Sequence, residues 1–283
     1  MGGLLRDIKN KKELRQVSDT FVRAELSLYL QQHPQQATQL AAHFHPRSAP
    51  YRQVLKGVRT RLRRVYGVFH TTKESRLRRE LFIQWKEKPA VSLLEKILKT
   101  HTSPRERMPF ARQFYQKLFF LVGKPTSILD LGCGIHPLAL PGMGLSSVRY
   151  FAYDLGEEEV GLLQEFFAVL QAQNPRILGK AEIQDVLRGV RNLPEADLCF
   201  LLKMTDVLDR GKGHKATERV VQEVRAKAVV ISFPTLTLSG QPMRFPRRRW
   251  IELMCQRLGY AYEILHYPAE IFYVVRKAGE RSL

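Results

Sequence analysis

The sequence predicts an α/β protein: a mainly parallel sheet covered by helices on both faces and closed by an antiparallel last strand, with a helical domain ahead of it. Three observations carry this. After residue 125, short apolar runs bounded by Gly, Asp and Pro alternate with amphipathic stretches, the pattern of strand–helix–strand units. Before residue 100, apolar positions recur at helical spacings without such runs. The charge divides along the same line. Residues 1–125 hold 26 Lys+Arg against 9 Asp+Glu, while residues 126–283 hold 20 against 18.

In the first part, residues 11–45 show helical spacing, as in Val22, Leu26 and Tyr29, broken near Pro34 and Pro46. The string YRQVLKGVRTRLRRVYGVF then carries two stripes. Tyr51, Val54, Leu55, Val58, Leu62 and Val65 form an apolar stripe, the docking side of an amphipathic helix. Arg52, Lys56, Arg59 and Arg63, with Arg64 adjoining, form a basic stripe on another face. The stretch from Arg47 to Arg79 has eleven basic residues and one acid, Glu74, so the i,i+4 pairs of a merely soluble helix are missing. That face is expected to stand in solvent and bind a polyanion, with RNA ahead of an acidic membrane because the apolar stripe is half Val. Residues 72–100 read as two more helices split at Pro89. The expected division is a helical basic domain over 1–100 and a second domain over 101–283.

In the second part, the expected strands are Ser127–Leu131, Val148–Tyr153, Asp197–Leu202, Ala228–Phe233 and Ile271–Val275, with Tyr260–His266 pairing antiparallel to the last. Glu158–Gln171 and Thr217–Ala226 are helices between them. Mainly parallel sheets bind ligands at the carboxyl ends of their strands. There the first strand runs into Asp130-Leu131-Gly132-Cys133-Gly134, where glycines let the backbone turn sharply and approach a ligand. This is not the G-x-G-x-x-G dinucleotide fingerprint, because Pro137 stands three residues after Gly134. Asp154 ends the next strand and suits the two hydroxyls of a ribose. Asp185, followed by Val186, suits an adenine amino group.

An Asp-x-Gly-x-Gly turn, an Asp at the end of strand two and an Asp after strand three resemble the class I, Rossmann-like S-adenosylmethionine-dependent methyltransferases. Further strings narrow the resemblance: Arg105-Glu-Arg107-Met-Pro109, Gly132-Cys-Gly-Ile-His136-Pro137, Phe200-Leu-Leu-Lys203 and Ser232-Phe-Pro-Thr235. Together with the basic segment Ser48–Phe69, they resemble the aminoglycoside-resistance 16S rRNA (guanine-N7) methyltransferases over most of the chain from about residue 45.

The resemblance implies S-adenosyl-L-methionine as cofactor and 16S rRNA in the 30S subunit as substrate. It implies Arg107, with Arg105 second, holding the methionine carboxylate, and Lys203 positioning the target at the mouth of the site. Two strings depart from the family pattern, Leu236–Phe245 and Met204–Asp209, and both lie where the target nucleotide would be approached. Another rRNA position, a tRNA, and a catalytically silent RNA-binding homologue therefore stay open beside the decoding-region guanine.

Three Cys with no CxxC and no Cys/His cluster argue against a disulfide framework and a metal site. No apolar run reaches about 18 residues, and the N-terminus turns polar too early for a signal peptide. The expectation is a cytoplasmic monomer.

Overall fold

The computed structural model describes residues 2–15, 17–63, 72–209, 213–237 and 240–277. Arg64 and the string after it lie outside that description. Among the described residues, helices α1 (Gly2–Lys9), α2 (Asp19–Gln32), α3 (Pro34–Ala42) and α4 (Ala49–Leu62) come first. Tyr51, Val54, Val58 and Leu62 of α4 are buried against Leu4, Ile8, Phe21, Val22 and Leu26, so the predicted apolar stripe is the seam of this unit. Ser48 starts α4 by accepting the Tyr51 N–H, and Pro50 sits in its first turn.

Helices α5 (Thr72–Glu87), α6 (Val91–Leu98), α7 (Thr102–Arg107) and α8 (Ala111–Val122) follow. The expected boundary at residue 100 does not match their packing. Phe82, Trp85, Leu94, Ile97 and Leu98 share one core with the sheet residues Ile128, Tyr150 and Phe200. Among the described residues, the separate small core of the helical unit is built from Leu4 to Leu62. A buried ion pair between Arg78 and Glu159 at 2.8 Å also ties α5 to the helix Glu157–Gln173 that covers the sheet.

The sheet has strands β1 (Ser127–Leu131), β2 (Val148–Asp154), β3 (Ile177–Ile183), β4 (Ala196–Leu202), β5 (Ala226–Pro234), β6 (Ala261–His266) and β7 (Glu270–Arg276). Their order is β3-β2-β1-β4-β5-β7-β6. The first five pair in parallel, and β7 runs antiparallel between β5 and β6. The central strands are buried on both faces, as in a sheet covered by helices. Alternate residues serve opposite cores. Ile128, Leu198, Phe200 and Val230 face α5, α6, α8 and α9 (Glu157–Gln173). Leu129, Cys199, Leu201 and Val229 face α11 (Lys215–Glu223) and α12 (Arg249–Leu258). Helix α10 (Thr205–Asp209) follows β4 directly.

The helical unit docks at the carboxyl ends of the strands. Leu155, just after β2, and Val207 of α10 pack against its core, and Val17 makes an antiparallel bridge to Gly156. The basic unit thus lies beside the strand ends where a ligand site is expected. No helix among the described residues is long and apolar enough to cross a membrane.

Candidate cofactor and RNA site

The turn after β1 forms because Gly132 and Gly134 both take positive φ, +67° and +52°, where a side chain would strain the backbone. A Cβ on Gly132 would also stand 2.1 Å from the Met204 sulfur. The turn is pinned by Asp154. Its carboxylate accepts the N–H groups of Gly134 at 2.7 Å, Leu155 at 2.7 Å and Gly156 at 2.9 Å. Asp154 therefore shapes the turn, and only part of its acceptor capacity remains for a ribose.

Asp130 is buried and accepts from the Tyr150 hydroxyl at 2.7 Å, while its Oδ2 lies 2.7 Å from His136 Nδ1. The other ring nitrogen of His136 meets the Tyr115 hydroxyl at 2.8 Å. His136 is thus locked in a buried network, consistent with a structural role at the turn. Asp185 accepts the Leu187 N–H at 3.0 Å and has Arg188 at 3.4 Å.

These groups surround one cleft that opens to solvent at the carboxyl ends of the strands. Arg107, Asp130, Gly132, Cys133, Gly134, Asp154, Asp185, Val186 and Lys203 all line it. Arg105 does not. It is half exposed and lies 3.9 Å from Glu74, outside the cleft.

Arg107 lines the cleft in an arrangement the sequence did not disclose. Its Nε and Nη2 donate to the two oxygens of Glu270 at 3.1 and 2.7 Å, and both residues are buried. Burial opposes the charge on Arg107, but the Glu270 carboxylate more than offsets it and raises the guanidinium above its ordinary value. The side-on edge of the guanidinium is occupied. Its end-on edge, with Nη1, is not engaged by Glu270.

The Ser232 hydroxyl donates to Glu270 at 2.5 Å, and the same Oγ accepts the Lys203 N–H at 3.1 Å. Lys203 has φ +57°, the one non-glycine residue with positive φ among those described, and Nζ pairs with Glu106. Arg107, Glu270, Ser232, Lys203 and Glu106 thus form a closed ring joining α7 to the ends of β4 and β5 and the start of β7. Glu270 had no local signal, and the strings that hold Ser232 and Glu106 did not disclose this role. Their partners stand 163, 38 and 97 residues away.

Cys133 is buried, and burial, with Asp130 and Asp154 nearby, pushes its thiol well above the ordinary range. Cys199 and Cys255 are buried too, and burial raises Cys255 to about 11. None is a ready nucleophile at neutral pH. Ellman's reagent is expected to leave all three thiols unreacted in the native chain and to titrate them after unfolding. Fast reaction of Cys133 in the native chain would show the turn to be open.

The predicted basic stripe is only partly available. Arg52 and Lys56 are exposed and make no ion pair among the described residues. Arg59 is half-buried, donating from Nε to the Ile8 carbonyl at 3.3 Å and from Nη2 to the Asp7 carbonyl at the end of α1. Arg63 is exposed but pairs with Glu13 at 2.7 Å. The acids missing from the local sequence arrive from elsewhere in the fold: Glu165 likewise neutralises Arg79. Among the described residues of the stripe, Arg59 and Arg63 are engaged and Arg52 and Lys56 are the two left to solvent.

The model of the ribosomal RNA methyltransferase family FmrO matches residues 29–274. The chain belongs to that family. Within the FmrO family and its relatives, it is similar to a 16S rRNA (guanine(1405)-N(7))-methyltransferase of Frankia casuarinae, 29% identical over 188 residues, or 65% of this chain and 64% of the relative. It is also similar to one of Proteus mirabilis, 32% identical over 148 residues, or 52% and 50%. The chain thus spans between half and two thirds of the length of these curated relatives.

The likeness to solved structures runs further. The 16S rRNA methyltransferase RmtF in complex with S-adenosyl-L-homocysteine superposes with TM-score 0.75 at 25% identity, covering 98% of both chains. The 16S rRNA methylase RmtB gives 0.71 at 21% identity over 98% of both chains, a likeness of fold. The seven-stranded sheet and leading helices of this FmrO-family chain are those of a class I methyltransferase with a helical N-terminal region.

Proposed function

We propose that the protein is an S-adenosyl-L-methionine-dependent methyltransferase that modifies 16S rRNA at a guanine N7 in the decoding region, and thereby confers aminoglycoside resistance. The observation that carries the reading is the cleft that brings together a pinned Gly turn, three carboxylates and buried Arg107, in a chain of the FmrO family.

The residues present fit the cofactor. Gly134 lines the cleft at φ +52° and carries no side chain, so its backbone is open to close approach by a ligand. The end-on edge of Arg107 would take the methionine carboxylate, oriented by Glu270 on the other edge. Asp154 would accept a ribose hydroxyl, and Asp185 the adenine amino group, beside the apolar Val186. When bound, the cofactor supplies an electrophilic methyl group on a sulfonium.

Guanine N7 presents an in-plane lone pair and carries no proton, so the chain needs no general base. Its residues have to hold the two partners in line. Positive charge passes to the base during transfer, so a bare cation beside it would oppose the reaction. Glu106 neutralises Lys203 at that point, which lets Lys203 position the target without adding net charge.

The helical unit would bind the RNA backbone through Arg52 and Lys56. Changing both to Gln should lower the slope of log affinity against log salt by about 1.5 to 2, with cofactor affinity unchanged. The same change at Arg59 and Arg63 should alter the slope less and lower the melting temperature, because both hold α1 and its neighbour in place. Equal slopes for the two pairs would sink this assignment.

The deciding experiment is tritiated methyl transfer to 30S subunits and naked 16S rRNA, with mapping of the modified base. Label at a decoding-region guanine N7 is expected. Label elsewhere would move the target, and none in any ribosomal substrate would leave an RNA-binding homologue without transfer activity.

A further inference from the structure

The segment between β5 and α12 presents an aromatic ring to solvent on a fastened backbone. Phe245 is 73% exposed, and the Arg244 guanidinium lies over its ring at 5.2 Å from the centroid. An isolated exposed Phe means little. Here the backbone beneath it is anchored. Arg248 Nη1 donates to the carbonyls of Phe245 at 2.8 Å and Pro246 at 3.0 Å. The same guanidinium lies over Phe233 at 5.1 Å, and the Arg248 N–H donates to the Tyr273 hydroxyl at 2.6 Å. On the other side, the Met243 N–H donates to the Thr235 carbonyl at 2.7 Å, and Leu236 bridges to Pro242. The ring is therefore held out from the carboxyl end of β5. Phe233 is adjacent in sequence to Ser232, which binds the Lys203 backbone.

The chemistry around the ring is cationic. Arg244, Arg247, Arg248 and Arg249 fall within six residues. Glu252 takes Arg247 through two bonds at 2.5 and 2.7 Å, while Arg244 and Arg249 are exposed. The neighbouring Trp250 is not available for stacking on a ligand. It is stacked on His214 at 4.0 Å and edge-on to Phe233. An exposed ring among uncompensated guanidiniums suits one partner chemistry, an unstacked nucleobase with its phosphate nearby.

We propose that Phe245 is a base-stacking platform that receives a splayed RNA base beside the nucleotide presented to Lys203. Arg244 covers one face of the ring and the base takes the other. Stacking of this kind tolerates any base, so Phe245 selects opened RNA and leaves base identity to the cleft. The nature of the RNA rests on the rRNA-methylation reading above; the stacking itself does not.

The test uses the full chain with Phe245→Ala, Phe245→Leu and Phe245→Trp, and a hairpin of the 16S decoding region with 2-aminopurine replacing one adenine. Wild type and Phe245→Trp should quench the fluorophore. Phe245→Ala and Phe245→Leu should lose the quench and about tenfold in affinity for the hairpin and in methyl transfer to 30S subunits. Calorimetric affinity for S-adenosylhomocysteine should be the same in all four. Undiminished quenching in Phe245→Ala overturns the proposal. Full activity in Phe245→Leu also overturns it, since a plain apolar contact, as with a ribosomal protein, would then suffice. If wild type quenches but labels no ribosomal RNA, the methylation reading fails and the platform stands.

Discussion

Replacing Glu270 by Gln is expected to destabilise the protein by about 3–5 kcal/mol, because it strands the buried Arg107 guanidinium without a compensating charge. At about 2–4 °C per kcal/mol for a chain somewhat smaller than this one, the melting temperature should fall by roughly 10 °C. Cofactor affinity should fall with it, since Glu270 fixes the edge that Arg107 turns to the cleft. Stability and binding can be separated by the double change Arg107→Met with Glu270→Leu. A buried ion pair replaced by apolar residues of similar size often loses little stability. The double variant should therefore melt within a few degrees of wild type and bind no cofactor by calorimetry. A double variant that binds normally would remove Arg107 from the site. A single variant with unchanged melting would mean that Arg107 is not buried as described.

That pair also shows where the sequence stops being informative. Strands β1, β4, β5 and β7 were legible because burial on both faces demands continuous apolar runs, and β2 because its aromatic-rich string leads into Asp154. β3 produced no such run. It is an edge strand, and its residues Ile177–Ile183 alternate between buried and open positions. The Gly turn and its acids were legible because they are local in sequence and set by backbone geometry. The partner of Arg107 was not, because nothing at residue 107 points to residue 270. The basic stripe failed for a related reason. Helical spacing places Arg59 and Arg63 on a face but cannot say that the end of α1 and Glu13 will meet them there. The boundary near residue 100 followed helix content, whereas the described residues divide between cores by which apolar faces meet, with Phe82 to Leu98 joining the sheet's core.

Asp154 carries the second large effect. Its carboxylate accepts three backbone N–H groups around the turn, and hydrogen bonds to a charged acceptor contribute about 1.5–3 kcal/mol each. Asp154→Ala should therefore weaken cofactor binding by at least about 100-fold. Two causes could produce that loss: a relaxed turn, or a missing ribose acceptor. Analogues separate them. In wild type, S-adenosylhomocysteine should bind more tightly than its 2′,3′-dideoxy form. If Asp154 accepts a ribose hydroxyl, that preference should vanish in Asp154→Ala, and the two losses should not add. If Asp154 only pins the turn, the preference should persist at full size in the variant. Asp154→Asn sharpens the comparison. Its amide oxygen can still accept the Leu155 and Gly156 N–H groups, but its NH₂ then faces the Gly134 N–H, so it should hold the glycine turn poorly. Cofactor binding within about threefold of wild type in the Asn variant would show that the charge of Asp154 is dispensable, and with it the role assigned to the carboxylate at the end of β2.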